Sequence, residues 1–151
     1  MNQYPVFELD IMLALRETLL SKPTEAGGFI GGKDMLHIGA FHPDTDANTN
    51  KNQYFPNLDT LNTILRKWYA KDLCFLGFIH THPDNQPRLS LADIHFGQMF
   101  LLLNPSIWSI YIGVLTNQQL NLCEFSKKPS NQNSNGINFM NTYHYSVGTN
   151  A

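Results

Sequence analysis

Within "GFIHTHPDNQPRLSLAD", residues 77–93, His80 and His82 stand two apart, and Ser90 and Asp93 follow three apart. Alternate residues of an extended strand share a face, so imidazoles at this spacing can serve one ion. Pro83 biases His82 towards extended backbone, which carries the strand to the second histidine. Ser90-x-x-Asp93 reads on its own as a helix start, with Ser90 as N-cap and Asp93 at the third helical position. A short loop returning from the strand end brings that first turn back against the histidines. His80, His82 and Asp93 then form three ligands with a fourth position free. That is the catalytic type of zinc site, in which water takes the open position. The water needs a base, and Glu25, directly before "AGGFIGG", is the candidate; the competing reading is an ordinary surface carboxylate.

These residues need a scaffold, and the chain supplies one. Residues 6–20, "VFELDIMLALRETLL", contain no Gly or Pro and are rich in helix formers, which predicts a first helix ending near Ser21-Lys22-Pro23. Apolar runs on either side of Gly31-Gly32-Lys33-Asp34 predict a hairpin with a glycine-containing turn there. Gly27 and Gly28 leave one strand face bare, so another backbone can come close. Residues 43–53 are polar and read as a surface loop. Asn57 caps a second helix over 58–71, whose Leu58, Leu61, Leu65 and Trp68 share one face. The apolar run 73–80, "LCFLGFIH", is a buried central strand. A third helix runs from Ser90 to about Asn104, stopped by Pro105, and its apolar Met99–Leu103 stretch should be buried. "SIWSIYIGVLT" and "LNLCEF" are two strands joined at Asn117–Gln119. Residues 126–136 are polar and expected to be mobile, and "INFMNTYHYSV" offers an edge strand. Helices and strands interleave, but two hairpins are present. The expected class is therefore α/β of the mixed α+β kind: a mixed, partly curled sheet flanked by about three helices.

At 151 residues the chain fits a single domain, 1–151, and 42% apolar content is enough for a core. The net charge of −2 comes with no block of like charge, which argues against a nucleic-acid backbone interface and against a membrane surface. The N-terminus lacks a signal-peptide pattern and no apolar run reaches the length of a span, so the expectation is a cytoplasmic protein. Cys74 and Cys123, the two cysteines, lie in apolar segments and read as buried free thiols.

"EAGGFIGG", then "GFIHTHP", then "SLAD" after the seven residues Pro83 to Leu89, resembles the JAMM motif of the MPN/JAB-domain zinc metalloproteases, over roughly residues 20–125. The resemblance implies a cytidine-deaminase-like fold and one catalytic zinc ion held by His80, His82 and Asp93. It implies Glu25 as general base and later proton donor, and Ser90 as the hydrogen-bond donor on the oxyanion side. Members with the full set resemble isopeptidases that cleave after the C-terminal Gly-Gly of ubiquitin-like proteins, the tail lying as an added strand beside the site. Small chains resemble the prokaryotic branch, where ubiquitin-like or sulfur-carrier proteins are processed. The long insertion of eukaryotic chain-specific enzymes is not evident; loop 43–53 and segment 126–136 are the places that could serve similarly.

Three other readings compete. A catalytically silent MPN scaffold or ubiquitin-like-binding module would usually have lost ligands, and every position is intact here. A nucleobase deaminase needs His-x-Glu and Pro-Cys-x-x-Cys, which are absent. A DNA-linked role lacks a basic stripe. His42-Pro43-Asp44 echoes His82-Pro83-Asp84 but has no partner histidine two before it. His95 faces away from Asp93 on a helix, and His37 and His144 read as surface or edge-strand residues. Trp68 reads as packing, and Asp84 and Arg88 lie in the loop over the site, within reach of a substrate. Oligomeric state is not written in the sequence.

Overall fold

Val6–Phe7 (β1) is a strand, although the sequence predicts helix from residue 6. A computed structural model describes residues 3–22, 25–45, 48–50, 53–82, 84–127 and 138–146. In it the Val6 N–H donates to the Leu36 carbonyl at 2.9 Å and the Glu8 N–H to the Ile38 carbonyl at 3.0 Å, so β1 pairs in parallel with the strand that begins at His37. Those bonds satisfy the backbone before the helix α1, Leu9–Leu19, begins. Leu15 and Leu19, one turn apart, are its buried residues.

The first hairpin joins β2 (Gly27–Asp34) to β3 (His37–Pro43). Its turn is Met35–Leu36, not the glycine stretch before it. Asp34 closes the turn: its Oδ1 accepts from the Leu36 N–H at 2.9 Å and from His37 Nδ1 at 2.7 Å. Gly31 and Gly32 are there for close approach. A Cβ on Gly31 would lie 2.6 Å from the Trp68 ring, and one on Gly32 1.7 Å from the His37 carbonyl oxygen. Part of the expected surface loop 43–53 forms a small sheet of its own, β4 (Asn48–Asn50) paired antiparallel with β5 (Gln53–Phe55).

Helix α2, Leu58–Tyr69, starts at Asn57, whose side chain accepts from the Thr60 N–H at 2.9 Å. Then follow β6 (Cys74–Thr81), α3 (Leu91–Leu103), β7 (Ser109–Leu115), β8 (Gln119–Ser126) and β9 (Asn138–Ser146). The large sheet runs β1-β3-β2-β6-β7-β8-β9, with β6 at its centre. The β6–β7 pair is parallel, joined by the α3 crossover, and β2–β6, β7–β8 and β8–β9 are antiparallel. The mixed sheet and the edge strand are as the sequence predicts; residues 128–136 of the segment expected to be mobile lie outside the described residues.

Each face of the sheet has its own core. On one, α2 and α3 pack Leu61, Ile64, Trp68, Phe100 and Leu101 against Phe29 and Phe78. Phe78 meets Phe29, Phe75, Phe96 and Phe100 edge to face. On the other, α1 packs Leu15 and Leu19 with Ile38, Ile79 and Leu122. Two burial expectations fail. Cys74 is exposed, and only Cys123 is buried. Met99, Leu102 and Leu103 are also exposed, because the sheet covers one side of α3 and nothing among the described residues covers the other. No helix among the described residues is long and apolar enough to cross a membrane.

Gly77 sits at the middle of β6 with φ +155°, where a Cβ would stand 2.0 Å from the Tyr111 carbonyl oxygen of β7. The obstacle is backbone, so it cannot swing aside. Gly77→Ala is expected to cost about 2–5 kcal/mol in urea unfolding. An unchanged midpoint would show that β6 and β7 can part there without loss.

Candidate metal centre

The end of β6 delivers two histidines to one face. Phe78 and His80 point to the α2/α3 side, and His82 follows two residues later. β2 lies alongside, with Gly27 paired to His80. One step further, the Thr81 N–H donates to the Ala26 carbonyl at 2.8 Å and the Ala26 N–H to Thr81 Oγ1 at 3.0 Å. The same register sets Glu25 opposite His82. Gly27 adds no side chain beside His80. Glu25 is buried, and its carboxylate and the two imidazoles offer ligand atoms all within 4.8 Å of one another.

The start of α3 delivers Asp93. Ser90 is the N-cap: its Oγ accepts from the Asp93 N–H at 3.0 Å, while Asp93 Oδ2 accepts from the Ser90 N–H at 2.9 Å. This reciprocal cap fixes the rotamer that turns the carboxylate towards β6. Asp93 Oδ1 lies 3.1 Å from His80 Nε2, and Oδ2 lies 3.2 Å from His82 Nε2. The two Nε2 atoms are 3.1 Å apart. Ligands at about 2.0–2.1 Å from a tetrahedral zinc stand about 3.4 Å from one another, so each of these pairs, taken singly, has nearly the spacing of adjacent zinc ligands. The group whose single donor atoms all lie within 4.8 Å of one another is Glu25, His80 and His82. Asp93 meets each imidazole through a different oxygen, so two carboxylates, Glu25 and Asp93, flank the histidine pair.

Burial disfavours ionised Asp93, but hydrogen bonds from His80 and His82 outweigh it and hold the carboxyl far below the usual range. Burial likewise works against protonated His82. Its hydrogen bonds to Asp93 and to the Gln86 carbonyl prevail and raise its pKa. The Gln86 carbonyl can only accept, so His82 Nδ1, 2.9 Å away, carries the proton. In the neutral ring Nε2 then presents its lone pair towards His80 and Asp93, the arrangement a metal ligand needs. A backbone carbonyl leaves no mark in a sequence, and sequence reading misses Gln86 for that reason. A cavity of about 60 Å³ adjoins the donors, lined by Phe55, Pro56, Phe78, Phe96 and Ile112 together with His80 and Asp93.

The remaining candidates lie elsewhere. Asp44 Oδ2 accepts from the Asn57 N–H at 2.9 Å and so ties β3 to the start of α2. Neither Asp44 nor His42 joins a metal-ligating cluster among the described residues. His37 bonds Asp34, His95 is exposed on α3, and Trp68 packs in the core. Asp84 Oδ1 accepts from the Gln86 N–H at 3.2 Å, and Arg88 is exposed.

The profile of prokaryotic homologues of the JAB domain matches residues 10–124. Among solved structures, the solution structure of protein DSY2949 from Desulfitobacterium hafniense is similar at 17% identity, with a TM-score of 0.55, covering 87% of this chain and 83% of that one. At that identity the likeness is one of fold. No curated protein matches the sequence.

Proposed function

The chain belongs to the family of prokaryotic JAB-domain homologues, and on that premise we propose that it is a zinc-dependent peptidase of the isopeptidase type. Its substrate in this reading is the C-terminal Gly-Gly tail of a ubiquitin-like or sulfur-carrier-like protein, cleaved from a conjugate or a precursor. The observation that carries the proposal is the pair of imidazoles 3.1 Å apart, with an Asp93 oxygen within 3.2 Å of each and Glu25 clustered with the same two imidazoles.

His80, His82 and Asp93 would hold the ion. When bound, zinc supplies Lewis acidity to a water and to the scissile carbonyl. Glu25 takes the proton of the attacking water and returns one to the leaving amine. Ser90 Oγ accepts from the Asp93 N–H with a lone pair, which leaves its O–H to donate to the carbonyl oxygen as charge develops there. No nucleophilic side chain is needed, in keeping with Cys123, whose thiol burial pushes to a higher pKa. The hairpin β4–β5 leads into Phe55 and Pro56 at the wall of the cavity beside His80 and Asp93. An extended tail running along that hairpin would reach the site in the manner of strand addition.

The test is metal content together with turnover. Purified protein is expected to carry one zinc per chain and to cleave a ubiquitin-like protein extended beyond its Gly-Gly. A chelator should stop the reaction, and added zinc should restore it. Protein that takes up no zinc sinks the enzyme reading. Stoichiometric zinc without cleavage of any such fusion would point instead to a silent ubiquitin-like-binding module.

A further inference from the structure

A row of side chains crosses the sheet beneath residues 84–89, the loop between β6 and α3. Register sets His80 beside Val114, Val114 beside Asn121, and Asn121 beside His144. Laterally paired residues share a face, so Asn121 and His144 rise on the same side of the sheet as His80. Asn121 is 6% exposed, and a buried amide is costly unless its hydrogen bonds are made. Its Nδ2 donates to the Pro87 carbonyl at 2.7 Å. That contact turns Oδ1 towards His144, whose Nδ1 lies 2.6 Å away and must be the donor. Gln86, one residue before Pro87, carries the carbonyl that accepts from His82 Nδ1. The same loop is held at its other end, where the Asn117 N–H donates to Asn85 Oδ1 at 3.4 Å and the Asn85 N–H to the His82 carbonyl at 2.9 Å.

We propose that Asn121 and His144 are positioning residues for the metal centre. They fasten the loop so that the Gln86 carbonyl keeps His82 in the tautomer and ring orientation that aim Nε2 at His80 and Asp93. The inference rests on the metal reading above and extends it to the edge strand β9, two strands beyond β7. Asn121 bonds Pro87 in the loop and His144 bonds Asn121, so both act through the loop.

The experiment uses the full chain and the variants Asn121→Ala, His144→Ala and His144→Gln. Zinc affinity is read by competition with a chelator of known affinity, and the site geometry by the visible absorption of bound cobalt(II). The metal-free thermal midpoint is the control. Asn121→Ala and His144→Ala are expected to raise the zinc Kd about tenfold, the low end for an outer-shell change, and to weaken the cobalt bands. The metal-free midpoint of Asn121→Ala should fall modestly with the loss of its two hydrogen bonds, so affinities are compared at a temperature where every variant is folded. His144→Gln, whose amide N–H can still donate to Asn121 Oδ1, should recover most of the affinity. Unchanged zinc affinity in Asn121→Ala, or His144→Gln no better than His144→Ala, overturns the proposal. Amide hydrogen exchange of metal-free protein separates the two ideas: Asn121→Ala should speed exchange at Asn85 and Gln86. Wild-type chain without zinc affinity sinks the metal reading, whereas unchanged loop exchange in the variant sinks the clamp.

Discussion

Glu25→Gln is expected to lower hydrolysis of a Gly-Gly-extended ubiquitin-like fusion by about 10²–10⁴-fold, the usual worth of a positioned general base, while the zinc content stays that of wild type. Glutamine keeps the volume and the shape of the buried side chain, so neither β2 nor β6 has to move. It removes the negative charge and, with it, the ability to take up a proton. The three donors at 3.1–3.2 Å are untouched. The variant also decides between two roles, because Glu25 lies within the same 4.8 Å cluster as both imidazoles. Bound zinc and kcat measured on one preparation separate them. If zinc is lost along with activity, Glu25 is a ligand and some other group is the base.

What the sequence discloses about this site is what depends on short separations. The two-residue spacing of His80 and His82 places them on one face once β6 is a strand, and the apolar run before them marks the strand. Ser90 and Asp93 declare a helix start, and the observed reciprocal cap is that pattern realised. Features made by distant neighbours are not disclosed. β1 exists because Val6 and Glu8 donate to Leu36 and Ile38, some thirty residues on, and no local periodicity announces those bonds. Gly31 and Gly32 suggest a turn because glycine is common in turns. Their true reason, contact with the Trp68 ring and the His37 carbonyl, appears only when α2 and β3 are in place. The short β4–β5 pair is hidden in a polar stretch with no apolar alternation. Asn121 and His144 are the extreme case. They meet Pro87 only after β7, β8 and β9 have taken their register, and in the sequence they are an unremarked Asn and an edge-strand His.

Asp93→Ala is expected to raise the zinc Kd by well over the roughly 10–100-fold that an outer-shell change causes, and its comparison with Ser90→Ala shows why. Both variants break the reciprocal cap of α3. Ser90→Ala loses the acceptor for the Asp93 N–H and should cost about 1 kcal/mol of metal-free stability, with zinc affinity close to wild type. Asp93→Ala loses the carboxylate that stands within 3.2 Å of both imidazoles as well. In metal-free protein that loss has a pH signature. The depressed pKa of Asp93 means that its contribution is complete above the ordinary carboxylate pKa of about 4 and fades as pH falls towards the depressed value. The raised pKa of His82 means that its contribution is complete below about 6.5 and fades as pH rises through the raised value. The stability gap between metal-free wild type and Asp93→Ala should therefore be widest between about pH 4 and 6.5 and narrow on either side. A capping carboxylate alone would follow the acid limb as well, because its hydrogen bond from the Ser90 N–H also favours the ionised form, but it would show no narrowing above about pH 6.5. Equal zinc affinities in the two variants, with a stability gap that stays level from about pH 4 upwards, would leave Asp93 as the cap of α3 and nothing more.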